Sequence, residues 1–158
     1  SSSVPTKDLE FNVRVDSKAN FSGYKTYTWW GSAAILNDTF GQWEPPAFDA
    51  DAEIKYQIDR QLRKRGMFES SANPDMIVAY AAGIDMDALE LHGNPKTELE
   101  TLSNVPRGAL LLVLIDSTSQ FVIWSGIATG NVQEDLDTQA AKERLEYAVA
   151  QLFKELPK

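Results

Sequence analysis

The chain has 158 residues, 43% hydrophobic and 10% aromatic, with no cysteine and a net charge of −8 from 23 acidic and 15 basic residues. That length suits one domain with its own core, and the composition excludes wholesale disorder. Lack of cysteine excludes disulfides, thiolate metal sites and cysteine nucleophiles, while the acidic balance disfavours nucleic acid as a partner.

Residues 1–8, opening Ser1-Ser2-Ser3, read as a flexible N-terminal tether, with a single domain over residues 9–157. Leu9, Phe11, Val13 and Val15 alternate with polar residues, which is the period of a half-buried strand. After a polar turn, Tyr24 to Trp30 is rich in aromatic and β-branched residues and reads as a second strand. Within its TYTWWG stretch the alternation puts Tyr27 and Trp29 on one face and Thr28 and Trp30 on the other. Residues 31–48 lose the pattern but carry Phe40, Trp43 and Phe48, and read as a flap packed back onto the domain. Trp29 is expected nearly fully buried, and Trp30 partly covered by the Phe40–Phe48 segment.

Asp49 is placed to cap a helix with the stripe Ile54, Ile58, Leu62 and Arg65, stopped by Gly66. Its basic cluster Arg63-Lys64-Arg65 reads as cations offsetting the C-terminal end of the helix dipole. Asn73-Pro74 turns the chain into a strand from Met76 to Ile84. Residues 85–107 carry few signals beyond Asn94-Pro95 and Val105-Pro106 as breakers. Gly108 to Asp116 and Phe121 to Ile127 flank Ser117-Thr118-Ser119-Gln120 as a hairpin. The run Leu110 to Ile115 implies a central strand covered on both faces, and no apolar run approaches the ~20 residues of a membrane span. A last helix from about Asp135 to Leu156 carries Leu145, Ala148, Val149, Leu152 and Leu156 and ends at Pro157. The pattern is α+β: a mainly antiparallel sheet of about five strands with two helices packed on one face.

Catalytic signals are weak. Asp85, Asp87 and His92, with Glu90, hold the chain's one histidine and are the candidates for a metal or acid–base site, but their spacing fits a solvated turn better. Asp49 to Glu53 lacks the glycine and distal glutamate of a calcium loop. There is no nucleophile elbow, phosphate loop or dinucleotide fingerprint. No catalytic residue, resident metal or cofactor is therefore assigned. The candidates for binding a ligand or partner are the aromatics Trp30, Phe40, Trp43 and Phe48.

Asp16, the run Phe21-Ser22-Gly23-Tyr24-Lys25-Thr26-Tyr27-Thr28-Trp29, then Arg65-Gly66 and Asn73-Pro74-Asp75-Met76 occur in an order that resembles the DUF4136 domain family of bacterial lipoproteins. Leu114-Ile115-Asp116-Ser117, Trp124-Ser125-Gly126 and the terminal Leu156-Pro157 extend the resemblance to residues 9–157. The Ser117–Gln120 turn lacks the glycine common in that family's hairpin. The resemblance implies an exported protein in the bacterial cell envelope, facing the periplasm and held to the outer membrane by an N-terminal lipid anchor. It supplies no catalytic residues. The expected role is non-catalytic binding of a protein or other envelope component. The alternative is a small hydrophobic molecule or lipid bound under the 31–48 flap, and a metal-dependent hydrolase is the remote alternative. An exposed strand edge offers a route to self-association.

Overall fold

The computed structural model describes residues 6–30, 50–83, 108–130 and 137–157. Alternation at the start of the chain forms strand β1, Glu10–Val15, and the next strand is β2, Thr26–Trp29. Helix α1 spans Ala50–Lys64, with Asp51 and Glu53 in its first turn and Arg63 and Lys64 in its last, the polarity the helix dipole favours. Gly66 then takes φ +80°, and the Met67 N–H returns to the Leu62 carbonyl, so the helix stops where the glycine permits a left-handed residue. Strands β3 (Phe68–Glu69), β4 (Met76–Gly83), β5 (Gly108–Asp116) and β6 (Val122–Gly130) follow, and helix α2, Thr138–Lys154, closes the fold. Its cap is Asp137, whose side chain accepts from the Ala140 N–H at 2.7 Å.

The strands lie in the order β1-β6-β5-β4-β2-β3. Pairing is antiparallel from β1 through β4, and parallel where β2 meets β4 and β3. The α+β class and the expected strand segments stand, but the expectation of a mainly antiparallel sheet of about five strands is corrected in part: among the described residues the sheet has six strands and is mixed, two of its five pairings being parallel. A strand reached again through a helix runs parallel to its predecessor, and α1 makes that crossover between β2 and β4. The sixth strand, β3, has two residues, too few to leave a period-two signal.

Both described helices pack on one face. Ile54, Ile58 and Leu62 of α1 and Ala148, Val149, Leu152 and Phe153 of α2 meet Met76, Val78, Tyr80, Leu110, Leu112, Leu114 and Trp124 from the sheet. On the opposite face Ala79, Ala81, Leu111, Val113, Ile115 and Ile127 form a second buried cluster. The central strands are thus covered on both sides, as the aliphatic run Leu110–Ile115 implied.

The core tryptophan is Trp124, fully buried and stacked on Phe153 with ring centroids 5.6 Å apart. Trp29 is only half-buried, which corrects the expectation that it would be nearly enclosed. The cause is lateral. Tyr27 sits between β4 and β3 and is 1% exposed, whereas Trp29 lies beyond the reach of the two-residue β3 and, among the described residues, has a neighbour strand on the β4 side only. The shared face was read correctly: the Tyr27 hydroxyl and Trp29 Nε1 both donate to Asp59 Oδ1 on α1, at 2.6 and 3.1 Å.

Candidate functional site

Two concave surfaces meet near Tyr24, where the link between β1 and β2 crosses the end of the sheet. That link contains a 3-10 turn, Phe21–Gly23, shaped by Asn20, whose side chain accepts from the Ser22 N–H and hydroxyl.

The first surface is a polar cleft of about 650 Å³ between Tyr24, Asn73, Asp75, Asp116 and Thr118. Its carboxylates are engaged in holding chain ends together. Asp75 Oδ2 accepts from the Lys25 and Thr26 N–H groups at 2.7 and 3.1 Å, tying the start of β4 to the start of β2. Asp116 Oδ1 accepts from the Thr118 and Ser119 N–H groups, and its Oδ2 accepts from the Tyr24 hydroxyl at 2.7 Å. Ser117 Oγ donates to the Pro74 and Asp75 carbonyls. The Lys25 and Thr26 N–H groups hold the Asp75 carboxyl below the usual carboxylate range. Asp116 is lowered too, chiefly by the Tyr24 hydroxyl and then by the Ser119 N–H. Burial and the Asp116 bond push the Tyr24 phenol up to about 12. A carboxylate made more acidic and a phenol made less acidic are both moved away from proton transfer near neutrality. The geometry is that of a clasp.

The second surface is a groove of about 630 Å³ where the C-terminal ends of α1 and α2 converge over Phe21. Its floor is apolar, from Phe21, Met67 and Phe153, all buried. Its rim carries Lys25, Lys64, Arg65 and Lys154, with no Asp or Glu among the described lining residues. Arg65 is committed: its guanidinium donates to the carbonyls of Phe153 and Leu156 at 2.8 Å and of Pro157 at 3.0 Å, capping the end of α2. The sequence reading gave the basic cluster to the end of its own helix; the structure shows Arg65 serving the neighbouring one. Burial lowers the Arg65 pKa, and its charge is spent on carbonyls that have no helical partner. Lys25, Lys64 and Lys154 remain exposed around the opening.

Of the residues singled out from sequence, Trp30 is 47% exposed, with its N–H paired to the Val78 carbonyl at 2.9 Å. Phe40, Trp43 and Phe48, the flap, and the metal candidates Asp85, Asp87 and His92 lie outside the described residues. Among the described residues no three His, Cys, Asp or Glu side chains gather as metal ligands, and no helix is long and apolar enough to cross a membrane. Sequence reasoning missed the groove because its lysines come from three separated segments. The one local signal was Arg63-Lys64-Arg65.

Phe21, Tyr24, Asp75, Asp116, Trp124 and Gly126 all have structural roles, and they are residues that carry the resemblance read from sequence. The model of a domain of unknown function, DUF4136, matches residues 11–158. The chain belongs to the DUF4136 family. This DUF4136 domain is similar in fold to a DUF4136 family protein from Bacteroides thetaiotaomicron, with 12% identity, 94% of this chain and 96% of that one covered, and a TM-score of 0.64. It is also similar to a protein described as the PelC dodecamer from Paraburkholderia phytofirmans, at 12% identity, 91% and 94% coverage and a TM-score of 0.51. A PDZ domain protein from Parabacteroides distasonis matches at 15% identity and a TM-score of 0.52, over 97% of this chain and 38% of that one. At these identities the likeness is one of fold. No curated protein matches the DUF4136 chain.

Proposed function

We propose that this DUF4136 chain is the folded domain of a bacterial cell-envelope lipoprotein that faces the periplasm and acts by binding, without catalysis. The observation that carries the reading is the groove: an apolar floor under exposed Lys25, Lys64 and Lys154, in a chain whose net charge is −8. A local field opposite to that of the whole molecule selects a partner of complementary charge and orients its approach. The partner that fits is an acidic protein segment with an apolar side chain to set against Phe21 and Phe153. The engagement of Asp75, Asp116 and Tyr24 in the neighbouring clasp supports the non-catalytic part of the reading.

A photo-crosslinking residue at Ser22, inside the groove, tests this in the native envelope, with the same residue at exposed Gln139 as control. A defined protein adduct is expected from Ser22 and not from Gln139; equal labelling from both would contradict the assignment. A small hydrophobic ligand is the second reading, favoured by the half-exposed indole of Trp30. A hydrophobic dye that quenches Trp30 fluorescence, with the effect lost in Trp30→Phe, would support it, and no quenching would count against it.

A further inference from the structure

The two edges of the sheet are built differently. At one edge β3 is two residues long and offers little to pair with. At the other, β1 runs for six residues in unbroken register with β6, without proline, lysine or bulge, and no described strand lies on its outer side. Proline, lysine and bulges are common ways to blunt an edge, and the charges β1 does carry, Glu10 and Arg14, are of opposite sign and so can pair between two copies of the strand. The helix-side flank of β1 is also apolar and open: Phe11 is 36% exposed, Val15 41%, and Tyr147 of α2, packed tilted against Phe11, 39%.

We infer that β1 is the interface for a second copy of this chain, the two β1 strands pairing antiparallel about a two-fold axis at Asn12. The orientation of the backbone supports this register. The Asp16 N–H donates to the Ile123 carbonyl at 2.9 Å, directing the even-numbered groups of β1 toward β6 and the odd-numbered groups outward. A two-fold at Asn12 sets Phe11 opposite Val13 of the second copy and Leu9 opposite its Val15. Phe11 and Val13 are odd-numbered residues whose N–H and C=O groups meet across the axis, whereas the Leu9 N–H is held by the Thr6 carbonyl at 3.2 Å. The apolar flanks become continuous. On the other face the same register sets Glu10 opposite Arg14 of the second copy, twice by symmetry, so that unlike charges face each other. A two-fold at Val13 would instead oppose Glu10 to Asp16, a like-charged pair, which selects the Asn12 register. The contact is isologous, so it closes at a dimer.

Sedimentation equilibrium across a concentration series tests the pairing. Wild-type protein is expected to move from monomer to dimer mass. Arg14→Glu, which sets carboxylates opposite each other, is expected to weaken the dimer about tenfold. The double exchange Glu10→Arg with Arg14→Glu restores the opposition of charge and is expected to recover the dimer; thermal melting of both variants reports that they are folded. A constant monomer mass, an Arg14→Glu dimer as tight as wild type, or a folded double variant that stays monomeric would each overturn the inference.

Discussion

Side-chain depth here is decided by lateral neighbours as much as by alternation. Tyr27 and Trp29 share a face and an acceptor, yet only Tyr27 is enclosed, because β3 ends beside it. Trp124 takes the core position, and its indole lies over Gly126 two residues along the same face. A Cβ at Gly126 would stand 2.9 Å from Trp124 Cη2 and 3.0 Å from Leu152 Cδ2. That contact gives the Trp124-Ser125-Gly126 sequence a steric reason. Gly126→Ala is therefore expected to cost about 1–3 kcal/mol by overpacking, measured by urea unfolding; an unchanged midpoint would mean that the indole moves freely. The clasp gives a pH dependence with a definite sign. Asp75 and Asp116 have lowered pKa values in the folded state, so their contribution is present above about pH 4 and drains away as pH falls through the folded values. Tyr24, raised to about 12, contributes fully below about pH 10 and loses that contribution as pH rises toward 12. Asp75→Asn should flatten the acid limb of a stability–pH curve and Tyr24→Phe the alkaline limb. Unaltered limbs would show that the clasp is not formed in solution.

At the scale of elements, the stop of α1 and the hairpin were legible and a two-residue strand was not, while the Asp49 cap lies outside the described residues. Gly66 marks its stop through one left-handed residue, a signal that needs no partner. The β5–β6 turn replaces the expected glycine by a different device. Asp116 Oδ1 holds the Thr118 and Ser119 N–H groups, and Gln120 takes φ +66°. A non-glycine residue carries a steric cost in that region. Gln120→Gly is expected to stabilise the protein by about 0.5 kcal/mol, the steric relief exceeding the added freedom of the unfolded chain. A lower urea midpoint would show that the bond from Gln120 Nε2 to the Ser117 carbonyl matters more. The ladder between β5 and β6 also slips by one residue between Leu114 and Ile115, so Ile123 joins Trp124 in the helix-side core. Period-two reading places adjacent residues on opposite faces and cannot show a bulge of that kind.

For the whole molecule, α+β class, strand segments and both helical stripes followed from hydrophobic period, since each is a local pattern. Mixed pairing and the site were harder because both depend on which distant segments meet. The 3-10 turn carries Phe21 under the ends of both helices, where Lys25, Lys64 and Lys154 surround it. None of these residues signals the others in sequence. If the groove binds by charge, reversing those three lysines must remove the interaction while leaving the fold intact. The most direct measurement is the crosslinking yield from Ser22 in native envelopes, compared between wild type and Lys25→Glu/Lys64→Glu/Lys154→Glu. The triple variant should lose most of the adduct while remaining folded, its melting temperature lowered by the carboxylates now placed in the last turns of α1 and α2; an undiminished adduct in a folded triple variant would contradict binding at the groove.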